Sequence, residues 1–172
     1  MQEIQAAGKS IQFSVNVSPN EFMSASFELD KKASFAAHGD VHSQNVVFEL
    51  TEGVLVRNKE LVQGKISDFD SQGIKFAIDD FGTGYSNLAY LNRFPIQVLK
   101  VDKTFVQDIE ANRPVAELIV SMCRLMQLHI VAEGVETPAQ LEWVQTQGIG
   151  QYQGYLFAKP LPATAFVERV RA

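Results

Sequence analysis

Six short runs of β-branched and aromatic residues, each followed by a stretch of helical character, constrain the fold of this chain more than any other feature. The runs are Gln12 to Val17, Val46 to Leu50, Lys75 to Ile78, Val98 to Val101, His129 to Ala132 and Tyr152 to Phe157. Helices are predicted over 20–38, 58–71, 86–93, 112–126, 138–147 and 162–171. Strand then helix, repeated six times, implies a parallel sheet with right-handed crossovers. A chain of 172 residues, 46% apolar, can bury one sizeable core, and no linker-like stretch divides it, so residues 1–172 are expected to form a single domain.

Strand parity refines the architecture, because alternate side chains point to opposite faces of a sheet. One face is large and apolar: Phe13, Val15 and Val17, Phe48 and Leu50, Phe76 and Ile78, Leu99 and Val101, and Ile130. It is expected to lie under the helices. The other carries Ser14 and Asn16, Val47 and Glu49, Ala77 and Asp79, Lys100 and Asp102, and Val131 and Glu133, small or polar with charge at the carboxyl ends. A flat doubly wound sheet needs both faces apolar, whereas a barrel gathers functional groups inside the rim at its strand C-termini. The fold class is therefore α/β, a partial TIM-type (β/α) barrel of about six parallel strands.

The net charge of −5, without a basic run, argues against binding duplex DNA through its phosphates. The one cysteine, Cys123, lies in the apolar pattern Leu118, Ile119, Met122, Cys123, Leu125, Met126 and reads as a core thiol in a reduced compartment. No apolar stretch is long enough to cross a bilayer, and Met1-Gln2-Glu3 lacks the basic start of a signal peptide, so a cytoplasmic location is expected.

The predicted rim holds Asn16, Glu49, Asp79, Asp80, Lys100, Asp102, Glu133 and, just past a strand, Glu136. It offers oxygens and one ammonium, with no histidine or thiol, a set that suits Mg²⁺ or Mn²⁺, or Ca²⁺, over zinc or iron. Adjacent carboxylates such as Asp79 and Asp80 repel unless a cation lies between them. A divalent pair can hold hydroxide in line with phosphorus while Lys100 stabilises phosphoryl charge or orients the water, which fits phosphodiester hydrolysis. Each residue taken alone has a plainer explanation: Asp as cap or turn residue, Asn16 before Ser18-Pro19 as a turn, Glu52 as a helix start, Lys100 with Asp102 as an ion pair. Those explanations would have to hold together at five consecutive strand ends. An unrelated barrel acting on sugar phosphates is disfavoured because the last strand loops show no glycine-rich phosphate cup.

Six motifs carry a resemblance: Asn16-Val17-Ser18-Pro19, Glu49-Leu50-Thr51-Glu52, Asp79-Asp80-Phe81-Gly82-Thr83-Gly84-Tyr85-Ser86, Lys100-Val101-Asp102, Ala132-Glu133-Gly134-Val135-Glu136-Thr137 and Gln153-Gly154-Tyr155-Leu156-Phe157. In order and spacing the chain resembles the EAL-domain family. The resemblance implies a barrel phosphodiesterase that opens cyclic di-GMP to linear pGpG with two Mg²⁺ or Mn²⁺ ions. It implies Asn16, Glu49, Asp79, Asp80 and Glu136 as metal ligands, Asp80 being shared between the ions. It places Lys100, Glu136, Asp80, Glu52 and Asp102 in the catalytic machinery, with Lys100 on the water and Glu52 anchoring the loop Phe81 to Ser86. Gln153 and Gly134 fall at the substrate, Gln153 in the guanine pocket, and Glu133 behind the ligands. The Glu-Ala-Leu tripeptide that names the family does not occur in this sequence, nor does the arginine near it. Met1 to Gly8 resembles the end of the helix before the Asn16 strand, so the expectation is a truncated domain without the first two strands. Two readings follow: an impaired phosphodiesterase, or a noncatalytic module that binds cyclic di-GMP or a protein. Open edges at Gln12 to Val17 and Tyr152 to Phe157 predict a homodimer.

Overall fold

The computed structural model describes residues 11–37, 42–82 and 91–171. The expected end of a helix at Met1 to Gly8, the loop from Thr83 to Ser86 and most of the predicted helix 86–93 lie outside the described residues. Six strands form one sheet in sequential order, every neighbouring pair parallel: β1 (Phe13–Asn16), β2 (Val46–Thr51), β3 (Lys75–Phe81), β4 (Val98–Val101), β5 (His129–Ala132) and β6 (Gln151–Tyr152). Between and after them run α1 (Pro19–Met23), α2 (Phe27–Ala37), α3 (Lys59–Ser71), α4 (Lys103–Gln107), α5 (Ile109–Leu125), α6 (Pro138–Thr146) and α7 (Ala163–Arg171). The result is a half-barrel of parallel strands with helices outside, the expected partial TIM-type architecture.

Side-chain alternation divides the sheet as its residues require. Phe48, Leu50, Phe76, Ile78, Leu99 and Val101 are buried on the helix side in the main core. There Phe22, Phe27, Phe48, Phe69 and Phe76 form a ring cluster with centroids 5.2 to 6.3 Å apart, mostly edge-on, the packing that aromatic quadrupoles favour. The opposite face has a small apolar floor of Val47, Ala77, Val98 and Val131. Their modest size leaves room for the long charged side chains one step further along β2 to β5.

Four expectations change. Val15 is 39% exposed and Phe13 half-buried, because β1 lies at the edge of the sheet and has β2 as its one strand neighbour among the described residues. The predicted helix 20–38 is two helices, broken at Ser24 and Ser26, whose hydroxyls compete for backbone groups and favour caps and turns. Ordered strand at the last run covers Gln151–Tyr152 alone; Gly154 to Phe157 turns back over Val135, with Leu156 N–H donating to Val135 O at 3.0 Å. A helix absent from the prediction, α4, starts directly after β4 because Asp102 caps it.

Candidate functional site

The register between β3 and β4 decides where the paired aspartates point. Ile78 faces Leu99 and Phe81 faces Val101, so three steps along β3 match two along β4. The extra residue is a bulge at Asp79 and Asp80, and Asp80 takes a left-handed backbone with φ of 54°. Strict alternation would send adjacent side chains to opposite faces; the bulge instead brings both to the inner rim. Carboxylate oxygens of Asp79, Asp80 and Glu133 all lie within 4.8 Å of one another.

Lys100 is the countercharge. It projects inward from β4, and its Nζ lies 2.7 Å from Glu49 Oε2, 2.8 Å from Asp79 Oδ1 and 2.7 Å from Glu133 Oε1. Burial opposes an ammonium here, but the close carboxylates of Asp79, Glu133 and Glu49 outweigh it and raise the Lys100 pKa above its ordinary value. Burial raises the carboxyls of Asp80 and Glu133; for Asp80 the charges of Asp79 and Asp102 push the same way. Asp79 Oδ1 is buried and meets Lys100 outside hydrogen-bonding angles, so it keeps acceptor capacity for another cation.

Asp102 caps α4, accepting from Thr104 N–H at 2.9 Å and from the Thr104 hydroxyl at 2.5 Å. Burial works against its charge, yet these donors hold its carboxyl below the ordinary value. Glu133, read from the sequence as lying behind the ligands, stands inside the acidic group and also accepts from Gln153 Nε2 at 2.7 Å. Glu136 lies outside that group; its Oε1 accepts from Gln107 Nε2 at 3.0 Å. Asn16 pairs with Glu49 in register at the exposed edge strand. Glu52 opens a short 3₁₀ turn after β2, and the loop it was expected to anchor lies outside the described residues.

Beside the acidic group opens a cavity of about 640 Å³ walled by Lys103, Gln107, Glu133, Glu136, Gln153 and Tyr155, among others. Gly134 lies on its wall with φ of 69°, and a Cβ there would stand 2.5 Å from Lys103 Cβ, so close packing alone requires glycine. Gln107, Thr104 and Gln140 escaped the sequence reading. Thr137 to Gln140 has the spacing of a capping box, a signal that could have found the last of them.

This geometry has counterparts among known proteins. A family model described as EAL domain matches residues 1–160. The chain belongs to the EAL domain family. Cyclic di-GMP phosphodiesterase NbdA of Pseudomonas aeruginosa is 43% identical over 127 residues, 72% of this chain and 16% of that protein. Among solved EAL domain structures, the PaMucR phosphodiesterase in complex with c-di-GMP superposes with a TM-score of 0.89 at 30% identity, covering 96% of this chain and 68% of that one. Klebsiella pneumoniae BlrP1, in a manganese and cyclic di-GMP complex, does so at 0.79 and 30%, covering 92% and 42%. The chain spans 16 to 30% of the length of the first curated relatives it matches. No helix among the described residues is long and apolar enough to cross a membrane.

Proposed function

We propose that this EAL domain acts on cyclic di-GMP, opening one phosphodiester to linear pGpG with the help of Mg²⁺ or Mn²⁺. The observation that carries the reading is the meeting of Lys100 with Glu49, Asp79 and Glu133 beside the clustered oxygens of Asp79, Asp80 and Glu133. The donor set fits a hard cation: oxygens alone, more carboxylates than the one ammonium neutralises, and buried Asp79 Oδ1 with acceptor capacity to spare. Asp79, Asp80 and Glu133 would hold the first ion, with Glu49, Asn16 and Glu136 completing the coordination of the pair. Bound there, the ions supply Lewis acidity at the phosphoryl oxygens and lower the pKa of water.

The chain's own residues do the rest. Lys100 stays protonated and places positive charge where the phosphoryl oxygens gain negative charge. Asp102, held by Thr104, adds its negative charge beside Asp80 and so increases the demand for a cation there. Gln153 and the cavity wall seat a base of the dinucleotide. A second reading, binding of cyclic di-GMP without turnover, draws support from Glu136 standing outside the acidic group. The edges of β1 and β6 lack further neighbours among the described residues and favour pairing of two copies, which sedimentation at micromolar concentration tests.

The deciding experiment incubates the chain with cyclic di-GMP and Mn²⁺ and separates products by chromatography, beside calorimetric binding of the nucleotide. Linear pGpG, lost in Asp79→Asn, supports hydrolysis. Binding without product supports the second reading, and neither binding nor product overturns both.

A further inference from the structure

The cavity beside the acidic group carries charge of both signs. Glu133 belongs to both places: its carboxylate joins those of Asp79 and Asp80, and it also lines the cavity. The same cavity is lined by Lys159, from the segment after β6, and by Arg169 of α7. Among the described residues no carboxylate comes within ion-pair distance of either cation. The carboxylates on the cavity wall are engaged elsewhere, Glu133 with Lys100 and Gln153, Glu136 with Gln107. Both cations are nonetheless held in place. Lys159 Nζ lies 5.7 Å from the centroid of the Tyr155 ring, and a ring face steers an ammonium without cancelling its charge. Arg169 Nη2 donates to Phe157 O at 3.0 Å, which ties the guanidinium to the turn after β6, and a guanidinium has further N–H donors for an oxyanion.

We infer that Lys159 and Arg169 form a subsite for the second phosphate of a cyclic dinucleotide whose first phosphate lies at the acidic group, an inference that deepens the reading given above and rests on it. A ligand with two phosphodiesters needs positive charge twice. At the acidic group a bound metal ion and Lys100 supply it; in the cavity Lys159 and Arg169 supply it themselves. At about 640 Å³ the cavity is within the range of small-molecule sites, and through Glu133 it is continuous with the acidic group. Hydrogen bonds from a cation to phosphate are charge-assisted, each worth about tenfold or more in affinity. A ligand with a single phosphodiester, held at the acidic group, gains nothing from the pair. Lys159 and Arg169 thus select for the second phosphate. Both side chains are exposed, so replacing them removes charge and disturbs little packing.

The test is calorimetric titration of the full chain, with Ca²⁺ supplied to the acidic group, against cyclic di-GMP and against the dinucleoside monophosphate GpG, which keeps both guanines and has one phosphodiester. The native chain should prefer cyclic di-GMP. Lys159→Gln and Arg169→Gln should each shrink that preference about tenfold, and Arg169→Lys, which keeps the charge, should retain part of it. Lys159→Gln should melt at the native temperature, so it decides the matter even where Arg169→Gln loosens α7. An unchanged preference in Lys159→Gln, whether the two affinities stay or fall together, would overturn the subsite and leave binding of cyclic di-GMP standing. No binding of cyclic di-GMP by the native chain would overturn the reading beneath it, and the inference with it.

Discussion

Lys100 Nζ lies 2.7 Å from Glu49 Oε2, and the two side chains, 51 residues apart in sequence, are among the few charged groups buried among the described residues. The contact exists because β2 and β4 flank β3 and present Glu49 and Lys100 on the same inner face. With Asp79 and Glu133 also on the ammonium, one cation serves three carboxylates.

Removing that cation leaves buried anions without compensation. Lys100→Met should therefore destabilise the fold by ~3–5 kcal/mol, the range for breaking a buried ion pair from one side. Mn²⁺ should recover part of the loss in the variant, since a divalent ion can take over the carboxylates. Thermal melts with and without Mn²⁺ check both statements. A variant as stable as the native chain would contradict the countercharge role.

The bulge makes a backbone prediction. Asp80 has φ of 54°, a region that Asn visits readily and β-branched residues resist. Asp80→Asn should hold the fold at native stability and lose Mn²⁺ affinity, because charge goes and shape stays. Asp80→Val should cost an additional ~1–2 kcal/mol of stability. Urea unfolding of the two variants, compared at equal slope, measures the difference.

A third prediction concerns the turn that closes over Val135. A Cβ on Gly154 would stand 2.2 Å from Val135 O and 2.3 Å from Val135 N, and backbone cannot swing aside as a side-chain tip can. Gly154→Ala should destabilise by ~3 kcal/mol and disturb the neighbouring Gln153 to Glu133 hydrogen bond. Gly150→Ala, which meets open space, is the control and should be neutral. Denaturant melts of the pair make the comparison.

What the sequence made legible was periodicity. The six strands, their parallel order and the identity of the inner face all follow from alternation at Phe48, Glu49 and Leu50 or at Leu99, Lys100 and Val101, where each residue type suits one side only. Alternation fails where the backbone departs from it: period two cannot show that Asp79 and Asp80 share a face, since the bulge is set by pairing with β4. Nor does it show that an edge strand leaves Val15 exposed, or that Glu136 turns to Gln107; alternation does put Glu133 on the inner face, and it is the resemblance that sets it behind the ligands. Those outcomes depend on contacts between loops far apart in the chain, which local patterns do not encode.

Cys123 yields a prediction about alkaline stability. The thiol is wholly buried in the main core beneath α5, and burial pushes its pKa from 9.0 up to about 12. Between those values the unfolded chain has released the proton and the native chain retains it. Fewer protons bound to the unfolded state means that stability falls as pH rises from about 9 toward 12. Lys100 adds a loss of the same sign that starts higher, near its ordinary value of 10.5, because its native pKa is raised. Cys123→Ala should therefore flatten the stability profile between pH 9 and 10.5 and leave the steeper decline above it. Urea midpoints measured across that range separate the two groups. At neutral pH the native thiol should react with a disulfide reagent only as fast as the protein opens, so that dilute urea accelerates the reaction; prompt reaction in water would show that the thiol is not sealed in the core.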